Sequence, residues 1–261
     1  MIHAYFTNGM YQNAVVFLKS LKQTNSTRYN VLLSTRDLEE EKQEKLKTYY
    51  PGLIVENKVL DMEMLAERAK VPLSRLLEYR KQVETGYINA GNKVWKLMIA
   101  AEDRPRSLLE LLKRPGMEVD EPILHFDIDT LFRNSIYDLF LLALKHEACF
   151  LLRPNIMPLK ARITISTMTY QRTSQVLEFF DRWMYWLDYC PPPRRPVGYG
   201  QTSCWYAFEE VMGTLNFHKL DQTWGYPNNA KSEHHIWAGA IHKLRKDDCA
   251  QKFDEELKGL K

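Results

Sequence analysis

EPILHFDIDTLF, residues 121–132, decides how this chain is read. Its first half, up to Phe126, is apolar enough for a buried strand, and its second half brings in Asp127 and Asp129. In open α/β sheets ligands bind outside the carboxyl ends of strands, so carboxylates at that end stand where chemistry is done. Side chains alternate along an extended strand, so 127 and 129 are expected on one face. Two carboxylates on one face are hard oxygen ligands of the kind that favours Mg2+ or Mn2+. A cation held there acts as a Lewis acid on a departing diphosphate. The same short acidic pattern also occurs at solvated turns, so its weight depends on its surroundings.

Upstream, IHAYF (2–6) reads as a short buried strand ending at Thr7-Asn8-Gly9. From Tyr11 to Leu21, Ala14, Val15, Leu18 and Leu21 recur at helical spacing. YNVLLST (29–35) is a second strand, the charged run 37–47 a solvated helix with i,i+4 pairs, and LIVEN (53–57) a third strand. Strand–helix–strand alternation predicts parallel βαβ units with helices on both faces of the sheet. Residues 62–102 read as helical, and 103–121, around Pro105 and Pro115, as a polar insertion or loop.

Downstream, CFLLRP (149–154) and RITISTMTY (162–170) read as strands and SQVLEFFDRWMYWLDY (174–189) as a helix. A Pro-rich break at 191–196 precedes a helix over 202–215, a short strand at 217–220 and a charged tail. No repeat or linker divides the chain, so one α/β domain over 1–261 is expected, with a mixed, mostly parallel sheet.

Hydrophobic residues at 45% and charged residues at 26% suit an ordinary globular protein. With 36 basic and 33 acidic side chains the net charge is +3, too small a field to recruit nucleic acid. Cys149, Cys190, Cys204 and Cys249 form no CxxC pair and imply neither a zinc site nor a disulfide framework. MIHAYFTNG has no apolar signal core, and the longest apolar run is far short of a transmembrane span. A cytoplasmic setting is the expectation.

The Asp127–Asp129 segment, followed by TLFRNSIYDLF, resembles the DxD segment of GT-A glycosyltransferases, the Rossmann-like nucleotide-diphospho-sugar transferases. The resemblance extends over most of the chain. YFTNGMYQNAVVFLKSL is similar to the family's first strand, nucleotide loop and first helix, which implies that Thr7, Asn8 and Tyr11 meet the base and ribose. Asn92, Lys93 and Lys96 match a stretch that contacts the donor. RITISTMTYQRTSQVLEFFDRW resembles the acceptor-side segment of retaining, glycogenin-like members. In YGQTSCWYAF, Gln201 matches the glutamine of the family's "DQ" segment, while Gly200 stands where the aspartate is expected. HHIWAGAIHKLRK resembles the C-terminal element that supplies a metal-binding histidine and a phosphate-binding base. Either His235 or His242 fills the first role, with AGAIH favouring His242, and Lys243 or Arg245 the second.

The resemblance implies a metal-dependent transferase, of hexosyltransferase type, with a nucleotide-sugar half (1–130) and an acceptor-side half with a C-terminal helix (131–261). Mn2+ or Mg2+ on Asp127 and Asp129 would hold the diphosphate of a nucleotide sugar, UDP-linked by family weight. The acceptor is a glycan, a glycolipid or a protein, and Asp129 and Gln201 are the catalytic candidates, with retention. Two other functions compete. DIDT also suits a haloacid-dehalogenase-like phosphatase with Asp127 as nucleophile, although that motif opens its domain and here half the chain precedes it. Gly200 also suits a nucleotide-sugar-binding protein that has lost turnover. Duller roles stand beside the sharp ones: Tyr11 as a packing aromatic, Lys93 and Lys96 as snorkelling side chains, while Trp205 and Trp224 suit either stacking on an acceptor sugar or filling the core.

Overall fold

The computed structural model describes residues 1–26, 28–84, 103–115, 121–153, 159, 162–190, 199–221, 224 and 236–237. The chain opens with β1 (Ile2–Thr7), a 3-10 turn (Asn8–Met10) and α1 (Tyr11–Asn25). Then come β2 (Val31–Arg36), α2 (Glu40–Tyr49) and β3 (Leu53–Lys58). Helices α3 (Met62–Ala69), α4 (Leu73–Glu84) and α5 (Arg104–Leu112) precede β4 (Ile123–Asp127). The second half supplies β5 (Leu131–Phe132), α6 (Tyr137–Lys145), β6 (Ala148–Leu152), β7 (Ile163–Tyr170) and α7 (Ser174–Tyr189). It ends with α8 (Tyr199–Val211), β8 (Phe217–Lys219) and β9 (Ile236–Trp237).

Seven strands form one sheet in the order β3-β2-β1-β4-β7-β6-β8, and β5 pairs separately with β9. Neighbours are parallel from β3 through β4, β7 runs antiparallel to both β4 and β6, and β8 is parallel to β6. The sheet is mixed and mostly parallel, as expected. Because β1 lies between β2 and β4, the winding changes direction there. That reversal opens a crevice at the carboxyl ends of β1 and β4, the place where such sheets bind ligands.

Each face of the sheet is covered. Ile2, Ala4, Phe6, Val31, Leu33, Leu124 and Phe126 pack on one face under α1, α2 and α6. Leu32, Ile123, Phe150, Met168 and Tyr170 pack on the other under α5, α7 and α8. All six residues of β2 are buried, the continuous run typical of a parallel strand covered on both sides.

One expectation is corrected. Part of the 103–121 stretch read as a loop is helix α5. Pro105 sits in its first turn, where a missing N–H costs nothing, and Leu108, Leu111 and Leu112 are buried. Taking that proline as a breaker hid the helix that lies beside the acidic strand.

The chain just beyond β4 is clasped by α1. Ser20 Oγ accepts from the Phe132 amide at 3.2 Å, and Asn25 Oδ1 accepts from the Ile136 amide at 2.7 Å. Beneath, Phe17 meets Phe132 at 5.0 Å and Phe126 meets Phe132 at 5.1 Å, both edge to face. The acidic turn therefore stands on a packed aromatic base.

Candidate functional site

The parallel strands end in a row of polar side chains. In register, Thr7 lies opposite Arg36 and Arg36 opposite Lys58, while Asp127 lies opposite Tyr5 on the other flank of β1. Strand alternation puts His3, Tyr5 and Thr7 on one face, beside Ser34 and Arg36 of β2 and His125 and Asp127 of β4. Along that face the strands pass from Leu32 and Ile123 through imidazoles and hydroxyls to charges at the carboxyl edge.

The strand stops at Asp127. Its carbonyl accepts from the Thr130 amide at 3.0 Å, closing a turn over Ile128 and Asp129. The expected strand alternation from 127 to 129 is thus corrected: Asp129 is presented by a turn. The Asp127 side chain keeps 16% of its surface open, whereas Asp129 is 1% exposed. Asp127 pairs with Arg104, the first residue of α5, at 2.5 Å.

Asp103, the residue before Arg104, pairs with Arg36 and accepts from the Tyr5 hydroxyl at 2.9 Å. Arg36 also donates to the Thr35 carbonyl and to Ser107 Oγ, each at 2.9 Å. Deeper under α5, His3 and His125 share a hydrogen bond between their Nδ1 atoms at 3.0 Å, and His3 Nε2 meets Ser34 Oγ at 3.0 Å. Burial, then the charges of Arg104, Arg36 and Arg114, push His3 down to about 3. Burial also holds His125 well below the usual imidazole range, so the pair is neutral.

Three groups around the turn are buried yet make no hydrogen bond among the described residues: Thr130 Oγ1, Ser166 Oγ on β7, and Arg104 Nε. Buried polar atoms without partners mark places that water, an ion or a ligand completes. The Asp127 and Asp129 carboxylates are hard-oxygen donors of the kind that Mg2+ or Mn2+ takes, so the residues present fit such a cation. Among the described residues no three His, Cys, Asp or Glu side chains cluster, and both candidate third ligands, His235 and His242, lie outside them.

Comparison with solved structures decides the fold. Galactosyltransferase LgtC, in complex with donor and acceptor sugar analogues, superposes with a TM-score of 0.61 at 12% identity, covering 100% of both chains. Mouse xyloside xylosyltransferase 1 gives 0.51 at 13% identity, over 92% of this chain and 97% of that one. The chain has the GT-A glycosyltransferase fold. The glycosyltransferase GlyE of Streptococcus pneumoniae TIGR4 gives 0.51 at 9% identity, over 86% of this chain and 46% of GlyE. No protein-family model matches the sequence. No curated protein matches it either.

Within the GT-A frame, Thr7 ends β1 and Asn8 begins the 3-10 turn at the mouth of the crevice. Asn8 accepts from Lys42 at 3.1 Å and donates to Glu39 at 3.3 Å, which anchors it to the start of α2. Tyr11 is half-buried against the core, with Lys42 over its ring at 5.7 Å. Gln201 lies half-buried in the first turn of α8, the helix packed against α7 and β7. Gly200 is buried, and its carbonyl accepts from Trp183 at 3.2 Å and from Ser203 at 3.0 Å. Trp205 and Trp224 are each 4% exposed, which settles both as core. Asn92, Lys93, Lys96, Lys243 and Arg245 lie outside the described residues, as does the AGAIH stretch.

Sequence reading missed Arg104, Arg36, Asp103 and Tyr5. A signal existed for Arg36: like Asp127, it is the charged residue closing an apolar strand at its carboxyl end. Arg104 was hidden by the misread proline beside it.

Proposed function

We propose that this chain is a metal-dependent glycosyltransferase that moves a sugar from a nucleoside-diphosphate sugar, UDP-linked, to a glycan, glycolipid or protein acceptor. The observation that supports it most is the Asp127–Asp129 turn at the reversal point of a GT-A sheet, with Arg104 against Asp127. A bound Mn2+ or Mg2+ supplies Lewis-acid neutralisation of the charge developing on the departing diphosphate. Asp127 and Asp129 would hold it, and His242 or His235 would be the third ligand. Arg104 keeps Asp127 oriented and adds positive charge on the diphosphate side. Thr7, Asn8 and Tyr11 receive the base and ribose, Asn92, Lys93 and Lys96 the donor, and Lys243 or Arg245 the pyrophosphate. Those basic residues on the phosphates would exclude water and limit donor hydrolysis. The Gln201 amide supports the developing oxocarbenium face, consistent with retention. The whole chain acts as one domain, in the cytoplasm.

A second reading, a nucleotide-sugar-binding protein without turnover, is favoured by the buried Gly200, which brings no carboxylate to the DQ position. The phosphatase reading is weakened because Asp127 ends the fourth strand and not the first.

A thermal-shift screen of nucleotide sugars with and without Mn2+ tests this. The expected result is a Mn2+-dependent stabilisation by one donor, lost in Asp129→Asn. An unchanged shift in that variant removes the site from consideration. Slow release of a nucleoside diphosphate then separates the transferase from the binding protein.

A further inference from the structure

Two consecutive residues, Asp103 and Arg104, tie the start of α5 to the carboxyl ends of three adjacent strands. Arg104 takes Asp127 of β4, while Asp103 takes Arg36 of β2 and the Tyr5 hydroxyl of β1. The Arg36 side chain is 5% exposed, and its three nitrogens go to Asp103, Thr35 and Ser107. Its guanidinium also lies 5.3 Å from the centre of the Tyr5 ring. Buried ion pairs add little stability over apolar residues of equal size, because desolvation cancels most of the attraction. What this pair does provide is a fixed geometry for the residue next to it.

We infer that the Arg36–Asp103 pair, its guanidinium buried and its carboxylate 26% exposed, is a positioning element for the cation site, an inference that rests on Asp127 and Asp129 being the ligands. It locks the first turn of α5 so that Arg104 meets Asp127 in one arrangement, and the carboxylate is ready for the cation. Neither Arg36 nor Asp103 has to touch the metal or the donor. Outer partners of metal ligands act in this way, and their loss typically weakens metal binding by about 10- to 100-fold.

The experiment is a calorimetric titration of Mn2+ into the whole folded protein, with urea unfolding measured on the same samples. Asp103→Asn is expected to weaken Mn2+ binding by about 10-fold or more. Tyr5→Phe, which removes only the hydroxyl, is expected to weaken it by about 3-fold, and it carries the test if Asp103→Asn does not fold. The control is Lys58→Met, which breaks the exposed Lys58–Glu110 pair further along α5 and should leave the Mn2+ Kd at the wild-type value. A purely structural role would lower the unfolding midpoint and leave the Kd of the folded protein unchanged. That result in Asp103→Asn or, failing its folding, in Tyr5→Phe overturns the inference. If Asp127→Asn abolishes binding while those variants keep it, only the positioning role falls. If wild type binds no Mn2+, or Asp127→Asn binds it equally well, the ligand reading itself falls and takes the inference with it.

Discussion

The four parallel strands show two unlike faces. On one, Ile2, Ala4, Phe6, Val31, Leu33, Leu124 and Phe126 form a dry core under α1 and α6. On the other, the same strands carry His3, Tyr5, Ser34, Arg36, His125 and Asp127, nearly all buried yet polar, beneath α5. The difference teaches how one strand serves two purposes: alternate residues of β4 hold the fold and face the chemistry. Phe126 and Asp127 are neighbours in sequence with opposite duties. The sharpest way to break the contrast is to exchange each. Phe126→Ala should cost about 3–5 kcal/mol of stability in urea unfolding, since Phe126 is fully buried against Phe17 and Phe132. A loss below about 1 kcal/mol would mean that the apolar face is not what holds the sheet.

Asp127→Asn tests the other face. Transfer from the donor identified by thermal shift should fall about 100-fold or more in kcat/KM, equivalent to about 2.7 kcal/mol of transition-state stabilisation. A fall of less than about 3-fold would place the chemistry elsewhere on the sheet. The next effect is a pH dependence that only the polar face can produce. Burial lowers His3 to about 3 in the folded chain, against an unfolded value near the ordinary 6.5. Below that ordinary value the unfolded chain binds the extra proton. Stability is therefore fully present above it and declines as pH falls toward the folded value. Going to pH 5.5 should cost on the order of 1 kcal/mol through His3, and His125, lowered by the same burial, should add to the loss. Urea midpoints at pH 7.5 and 5.5 measure this, and part of the difference should vanish in His3→Asn. Identical midpoints in the wild type would mean that the imidazoles are not held neutral.

Legibility in the sequence followed the same division. Periodicity finds elements whose faces differ in polarity, so β1, α1, β2, β3 and α7 are readable from apolar spacing alone. The acidic strand was readable because a run of apolar residues ends abruptly in carboxylates. Arg36 stayed hidden because its strand closes with a cation, which a search for metal ligands passes over. Asp103, Arg104 and α5 were lost to Pro105, whose presence in a first helical turn reads like a loop. The joining of Tyr5, Arg36 and Asp103 could not be read at all, since it depends on which helix lies over which strand ends, and no local pattern encodes that. Gly200 shows the opposite limit: the sequence flags a missing carboxylate, and the structure shows a backbone carbonyl packed under Trp183.

The smallest predicted effect sharpens the contrast from outside both faces. Among the carboxylates on the outer surface of α7, Asp181 and Asp188 by residue type alone suit a general base. Asp181 is 57% exposed and pairs with Lys113 at 3.1 Å, and Asp188 is 54% exposed and pairs with Arg106 at 2.8 Å. Both pairs join α7 to the outer side of α5, the helix whose inner side covers the polar face. Exposed pairs of this kind are screened and held loosely, so Asp181→Ala should change stability by no more than about 0.5 kcal/mol and leave turnover unchanged. Unfolding midpoints and kcat on the same preparation measure both. A tenfold fall in kcat with stability intact would move the acceptor to the α5–α7 seam, and the inner face would then orient the donor without hosting the transfer.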